Sequence, residues 1–208
     1  MPLGLIASAV FERSLSGQVE TRKNAATQYH HQTNKISSKQ VELVQNTHSA
    51  LYASKLVSDA QGCAVLQKAS DECKWNLNLA SIARLWRAGC IIRSAFLNDI
   101  AAAFEAKDKP VHLLLASYFA TEIKNAFPGW KRLVVSAMTE GLPVPAFSSA
   151  LNYFYSLTSE KLPANLIQAQ RDSFGAHPFE RVDEARGKFF HENLTGHGGT
   201  TKSGSYNV

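Results

Sequence analysis

Apolar residues recur along this chain at helical intervals, and nowhere do they alternate with a period of two for long. Val41, Val44, Leu51, Leu56, Cys63 and Leu66 fall near helical spacing and predict one long amphipathic helix from about Lys39 to Cys73. Ahead of it, Pro2 suits the first turn of an opening helix with Leu3, Ile6, Val10 and Leu15 on one side. Gly17 then breaks the pattern before a second helix carrying Arg22, and His30 to Ser38 is a polar loop. Asn78 predicts an N-cap for a helix over Leu79 to Arg87, and Gly89 interrupts before another through Ile92, Phe96, Ile100 and Phe104. The Asp108-Lys-Pro110 turn leads into helical segments that reach Phe127, and Pro128-Gly129 predicts a fresh helix start ended by Gly141. Pro143 and Pro145 form a rigid connector. Helices over Ala146 to Lys161 and Pro163 to Phe174 follow, with Gly175 placed to end the second in a left-handed conformation. The expected fold is all-α.

Past His177 this pattern stops. Gly187, Gly196, Gly198, Gly199 and Gly204 among serines and threonines predict weak local structure, although Phe189, Phe190, Leu194 and Tyr206 are apolar enough to want a surface. Two regions are therefore expected, a helical domain over 1–177 and an extended tail over 178–208.

Composition narrows the function without choosing one. With 208 residues, 45% apolar and 19% charged, the chain can bury a core of its own. The net charge of +5 arises from 22 basic residues scattered among 17 acidic ones, so no nucleic-acid partner is expected, and the excess better suits an anionic small molecule. Cys63, Cys73 and Cys90 lack metal-site spacing and read as reduced core thiols in a cytosol-like compartment. No apolar run approaches the length of a membrane span, and the start lacks the basic region of a secretory leader.

Three residues stand out as anion ligands. Arginine offers a planar, permanently charged fork suited to phosphate or carboxylate, and Arg22 and Arg171 each sit on a predicted helix. His177 follows Arg171 by six residues and falls just beyond the end of that helix. Spacing alone leaves a blander alternative, in which Arg171 pairs with Asp172 or Glu160, His177 caps a carbonyl, and Arg22 is an exposed helical cation beside Lys23. Other candidates fall away. His191 and His197 lack a third metal ligand, His30-His31 lacks an apolar wall, and Gly196-His-Gly-Gly199 is neither preceded by a strand nor followed by a helix. Glu72, Glu105, Glu122 and Glu140 lie on separate segments and form no acid–base pair.

The segment LPANLIQAQRDSFGAH from Leu162 to His177, and HENLTGHGG from His191 to Gly199 with its closing Ser205-Tyr-Asn-Val208, resemble the C-terminal end of the decarboxylating 6-phosphogluconate dehydrogenases. The likeness extends through LASIARLWRAGCIIR, Leu79 to Arg93, and LYASKLVSDAQG, Leu51 to Gly62, and so covers essentially the whole chain. It implies an NADP-dependent enzyme of the pentose phosphate pathway that oxidises 6-phosphogluconate and releases carbon dioxide to give ribulose 5-phosphate. It also implies a homodimer whose C-terminal tail crosses to the partner subunit. Within it, Arg22 would bind the substrate phosphate of its own subunit, and Arg171 and His177 would reach the substrate of the other.

The same likeness implies catalytic and cofactor-binding residues that this chain does not contain. There is no G-x-G-x-x-G and no Lys-x-x-His-Asn-Gly-Ile-Glu-Tyr, so NADP is expected to be held by an N-terminal domain upstream of Met1. The expectation is a C-terminal fragment, inactive alone and needing no metal, from a cytoplasmic enzyme, with a plastid as the alternative location. A non-catalytic dimerisation or binding module that keeps the fold is the competing reading.

Overall fold

The computed structural model describes residues 2–30, 32–34, 36 and 39–192, whose regular structure is helical apart from one short strand pair. Helices α1 (Gly4–Ser16), α2 (Val19–Tyr29), α3 (Gln40–Cys73), α4 (Leu79–Leu85), α5 (Leu97–Glu105), α6 (Ser117–Thr139), α7 (Pro145–Leu157) and α8 (Asn165–Gly175) follow in order. A short antiparallel pair, β1 (Phe179–Glu180) and β2 (Phe189–Phe190), comes last, with Phe179 opposite Phe190 and Glu180 opposite Phe189. The chain divides into two compact units, Met1–Tyr155 and Ser156–Val208.

The first unit is organised around the 34-residue α3, which packs along α6. Small residues let these helices approach: Ala50, Ala53 and Ala60 are fully buried on α3, beside Leu56 and Val57. From α6 come Phe119, Ile123, Ala126, Trp130, Leu133 and Val134. The contact is tightest at Gly129, where a Cβ would sit 2.7 Å from Ser49 Oγ and 2.8 Å from Ser49 Cβ. Only glycine fits there without displacing α3. Next to it the fully buried Trp130 donates from Nε1 to the Phe147 carbonyl at 3.2 Å, so the largest core side chain also ties α6 to α7.

Several predicted boundaries shift, each for a physical reason. Helix α6 runs straight through Pro128 instead of starting there. An interior proline forfeits one backbone hydrogen bond, but both halves of α6 bury apolar residues in the same core, which holds the helix continuous. Asn78 caps α4 as expected, with Oδ1 accepting from the Ser81 amide at 3.0 Å. Helix α4 nevertheless ends at Leu85, and residues 86–96 form turns with Ile91 wholly exposed. Helix α7 stops at Leu157, short of Lys161. At the end of α8 the left-handed residue is Ala176 (φ 51°), not Gly175. Gly175 serves close approach instead, since a Cβ there would lie 3.2 Å from the His177 ring.

Candidate functional site

Arg22 lies in the first unit on α2, a helix that buries none of its residues. Its Nη2 donates to the Ser16 carbonyl at 3.0 Å, which satisfies an unpaired acceptor at the end of α1 and fixes the α1–α2 corner. The neighbouring cation is engaged locally, because Lys23 pairs with Glu20 at 2.9 Å.

Arg171 and His177 belong to the second unit. Arg171 projects from exposed positions of α8, and its Nη1 donates to Gln168 Oε1 at 3.3 Å. The other end of the same amide, Gln168 Nε2, donates to the His177 and Pro178 carbonyls at 3.3 and 3.2 Å. One side chain thus links the arginine to the backbone of the histidine, and the left-handed turn at Ala176 folds that backbone back toward Gln168. Gln168 also lines a cleft of about 310 Å³ with Asn165 and Ala169 on α8 and residues 179–183.

Asp172, the partner that spacing alone offered to Arg171, is turned the other way. Its side chain is fully buried; Oδ1 accepts from His191 Nδ1 at 2.7 Å and Oδ2 accepts from the Glu192 amide at 2.8 Å. Burial pushes its carboxyl up, but the His191 bond, the Glu192 amide and the nearby His177 outweigh burial and hold it below the usual aspartate value. Among the described residues, the ion pairs include neither Arg22 nor Arg171.

The hairpin after α8 has its own polar support. Glu180 accepts from the Gly187 amide at 2.8 Å and pairs with Arg186 at 3.0 Å, and the Arg181 guanidinium lies 5.4 Å from the centre of the Phe190 ring. His191 is bound to Asp172, while His197, the glycines at 196–199 and Tyr206 lie outside the described residues. Among the described residues no group of three His, Cys, Asp or Glu side chains could hold a metal ion, and no helix is long and apolar enough to cross a membrane.

Of the predicted ligands, then, Arg171 and His177 are drawn together in one unit, and Arg22 stands in the other. Sequence reasoning missed Gln168 and the role of Asp172. A partial signal was present, since Gln168 and Arg171 are three apart on a helix and so share a face.

The first unit is thus a helical bundle, and the second carries an arginine and a histidine at a helix end whose buried aspartate is bonded to the following hairpin. Residues 1–194 match the 6-phosphogluconate dehydrogenase C-terminal domain, and the chain belongs to that family. The Treponema pallidum decarboxylating 6-phosphogluconate dehydrogenase is 46% identical over 214 residues, covering 100% of this chain and 44% of its own length. The mouse enzyme of that name is 42% identical over 209 residues, covering 100% of this chain and 43% of its own length. Among solved structures, the Plasmodium falciparum 6-phosphogluconate dehydrogenase superposes with a TM-score of 0.84 at 36% identity, over 92% of this chain and 41% of that one. That protein is described in its apo form, with its cofactor NADP+ and with its substrate 6-phosphogluconate. The present chain therefore spans less than half the length of these relatives.

Proposed function

We propose that this chain is the part of an NADP-dependent decarboxylating 6-phosphogluconate dehydrogenase that grips the phosphate end of its substrate and joins two subunits. The observation that carries the reading is that Arg22 and Arg171, the cations the family likeness singles out, are absent from the carboxylate pairs that occupy several other cations of the chain. A guanidinium in that condition can turn its fork to a dianionic phosphate, and each charge-assisted bond contributes roughly 1.5–3 kcal/mol. His177, linked through Gln168 to Arg171, would add a donor to a neighbouring hydroxyl or phosphate oxygen.

The residues here do not fit the cofactor. The sequence has no G-x-G-x-x-G, and the described strands are two residues long, so the described residues form no strand–glycine loop–helix cradle for a pyrophosphate. No step of the reaction is assigned to NADP within this chain. Its own residues bind and orient the sugar acid, and the purified 208-residue protein should produce no NADPH from 6-phosphogluconate above a no-enzyme control.

Subunit pairing is supported by the apolar side chains that the first unit leaves in water, among them Phe11, Val41 and Val44 at 70%, 69% and 62% exposure. The segment 178–208 is proposed to reach the partner subunit, so that each substrate meets Arg22 of one chain and Arg171 and His177 of the other. In a full-length dehydrogenase carrying this sequence, Arg22→Ala and Arg171→Ala subunits should each be inactive as homodimers. The heterodimer isolated from their mixture should regain about half of wild-type activity, because one of its sites holds both changes and the other neither. Heterodimers that form and stay silent would show that both arginines serve one subunit.

A further inference from the structure

Among the described residues of the second unit Asp172 is the one fully buried carboxylate, and it sits where a helix least welcomes it. It lies in the last turn of α8, where the helix dipole already places negative charge, so it is not a helix cap. Both of its hydrogen bonds come from the far side of the hairpin, from His191 Nδ1 and the Glu192 amide, nineteen and twenty residues on. The exposed Arg171 immediately precedes it on α8, and His177 follows five residues on, just past the helix end.

We propose that Asp172 is a positioning residue, a latch that fastens residues 191–192, just after β2, to the end of α8 and thereby fixes the frame in which Arg171 and His177 are presented. The inference rests on the substrate-binding role given to those two residues above. Docking of residues 191–192 and presentation of the anion-binding side chains then become one event, because the same carboxylate governs both. Gln168 transmits the frame, since it holds Arg171 by one end of its amide and the 177–178 backbone by the other.

The test uses the 208-residue chain labelled for NMR, with Asp172→Ala, His191→Gln and His191→Asn variants. Asparagine places its amide nitrogen near the position of Nδ1 and can still donate to Asp172, whereas glutamine places it near Nε2 and cannot. In the wild type, the His191 Nδ1 proton should appear far downfield and the Glu192 amide should exchange slowly. Asp172→Ala and His191→Gln should speed Glu192 exchange by roughly tenfold or more, the factor expected when a charge-assisted hydrogen bond is lost. Both should also shift the Gln168 side-chain amide signals, and His191→Asn should restore both readouts. Faster Glu192 exchange with unmoved Gln168 signals would separate the strand from the anion-binding end and overturn the proposal, as would slow Glu192 exchange in His191→Gln. If Asp172→Ala unfolds the unit, the His191 pair still decides the matter. Titration with 6-phosphogluconate is a separate arm: no shift at Arg171 or His177 in the wild type speaks against the substrate reading and leaves the latch result standing.

Discussion

Each unit of this protein buries one aspartate, and the two are treated in opposite ways. In the first unit, Asp59 sits on α3 beside Lys55, whose Nζ donates to both carboxylate oxygens at 3.0 and 2.9 Å. Burial pushes its carboxyl above the ordinary value, and Lys55 only partly offsets that. In the second unit Asp172 is more deeply enclosed, yet converging donors from His191 and Glu192 hold it below. The difference tracks what organises each region. The first coheres by interdigitation of apolar side chains, so an ionised group there is tolerated; the second has a small apolar interior, and an ionised group there is what the strand is fastened to.

If that contrast is right, the first unit should fail when its packing is cut. Trp130→Ala removes the largest buried side chain and should cost about 3–5 kcal/mol, read by chemical denaturation followed through first-unit probes. Gly129→Ala should cost roughly 1–3 kcal/mol through overpacking against Ser49, and adding Ser49→Gly should recover part of it. A loss below about half a kcal/mol in Gly129→Ala would mean that α3 and α6 slide freely, contrary to a packed seam.

The contrast also explains what could be read from the sequence. The long α3, the Asn78 cap and the all-helical class were legible because burial in the first unit follows helical periodicity, a local signal. Pro128 misled because local rules weigh the lost hydrogen bond, and not the core that both halves of α6 share. Arg171 and His177 were singled out as candidate ligands through family likeness, whereas Asp172 and Gln168 were not, since their contacts depend on partners that only the turn at Ala176 and the hairpin bring near. Gly175 was read as a source of backbone freedom when its use is to admit the His177 ring.

Acid should separate the two units. Asp172 has a folded value below that of the unfolded chain, so its stabilisation is complete above the unfolded value of 3.8 and is lost as the pH falls below it through the lower folded value. Protection of the Glu192 amide, taken against the intrinsic exchange rate at each pH, should therefore hold down to about pH 4 and fall only beneath it. Loss of protection already near pH 6 would place the titrating group elsewhere than on Asp172.

The smallest effect is the sharpest test of the comparison, because it predicts a gain. The folded value of Asp59 lies above 3.8, so the ionised group costs stability at neutral pH, and the cost fades as the pH falls through that raised value toward 3.8. Asp59→Asn keeps the shape and removes the charge, while Lys55, about one-third exposed, can turn to water. The variant should be more stable than the parent by on the order of 0.5–1 kcal/mol at pH 7, and the advantage should vanish near pH 3.8, where the parent carboxyl is itself protonated. Denaturant midpoints for the two proteins, measured at a series of pH values, would show the curves converging on the acid side. Were Asp59→Asn instead less stable at pH 7, the Lys55 pair would be net favourable, and the two aspartates would differ in degree rather than in kind.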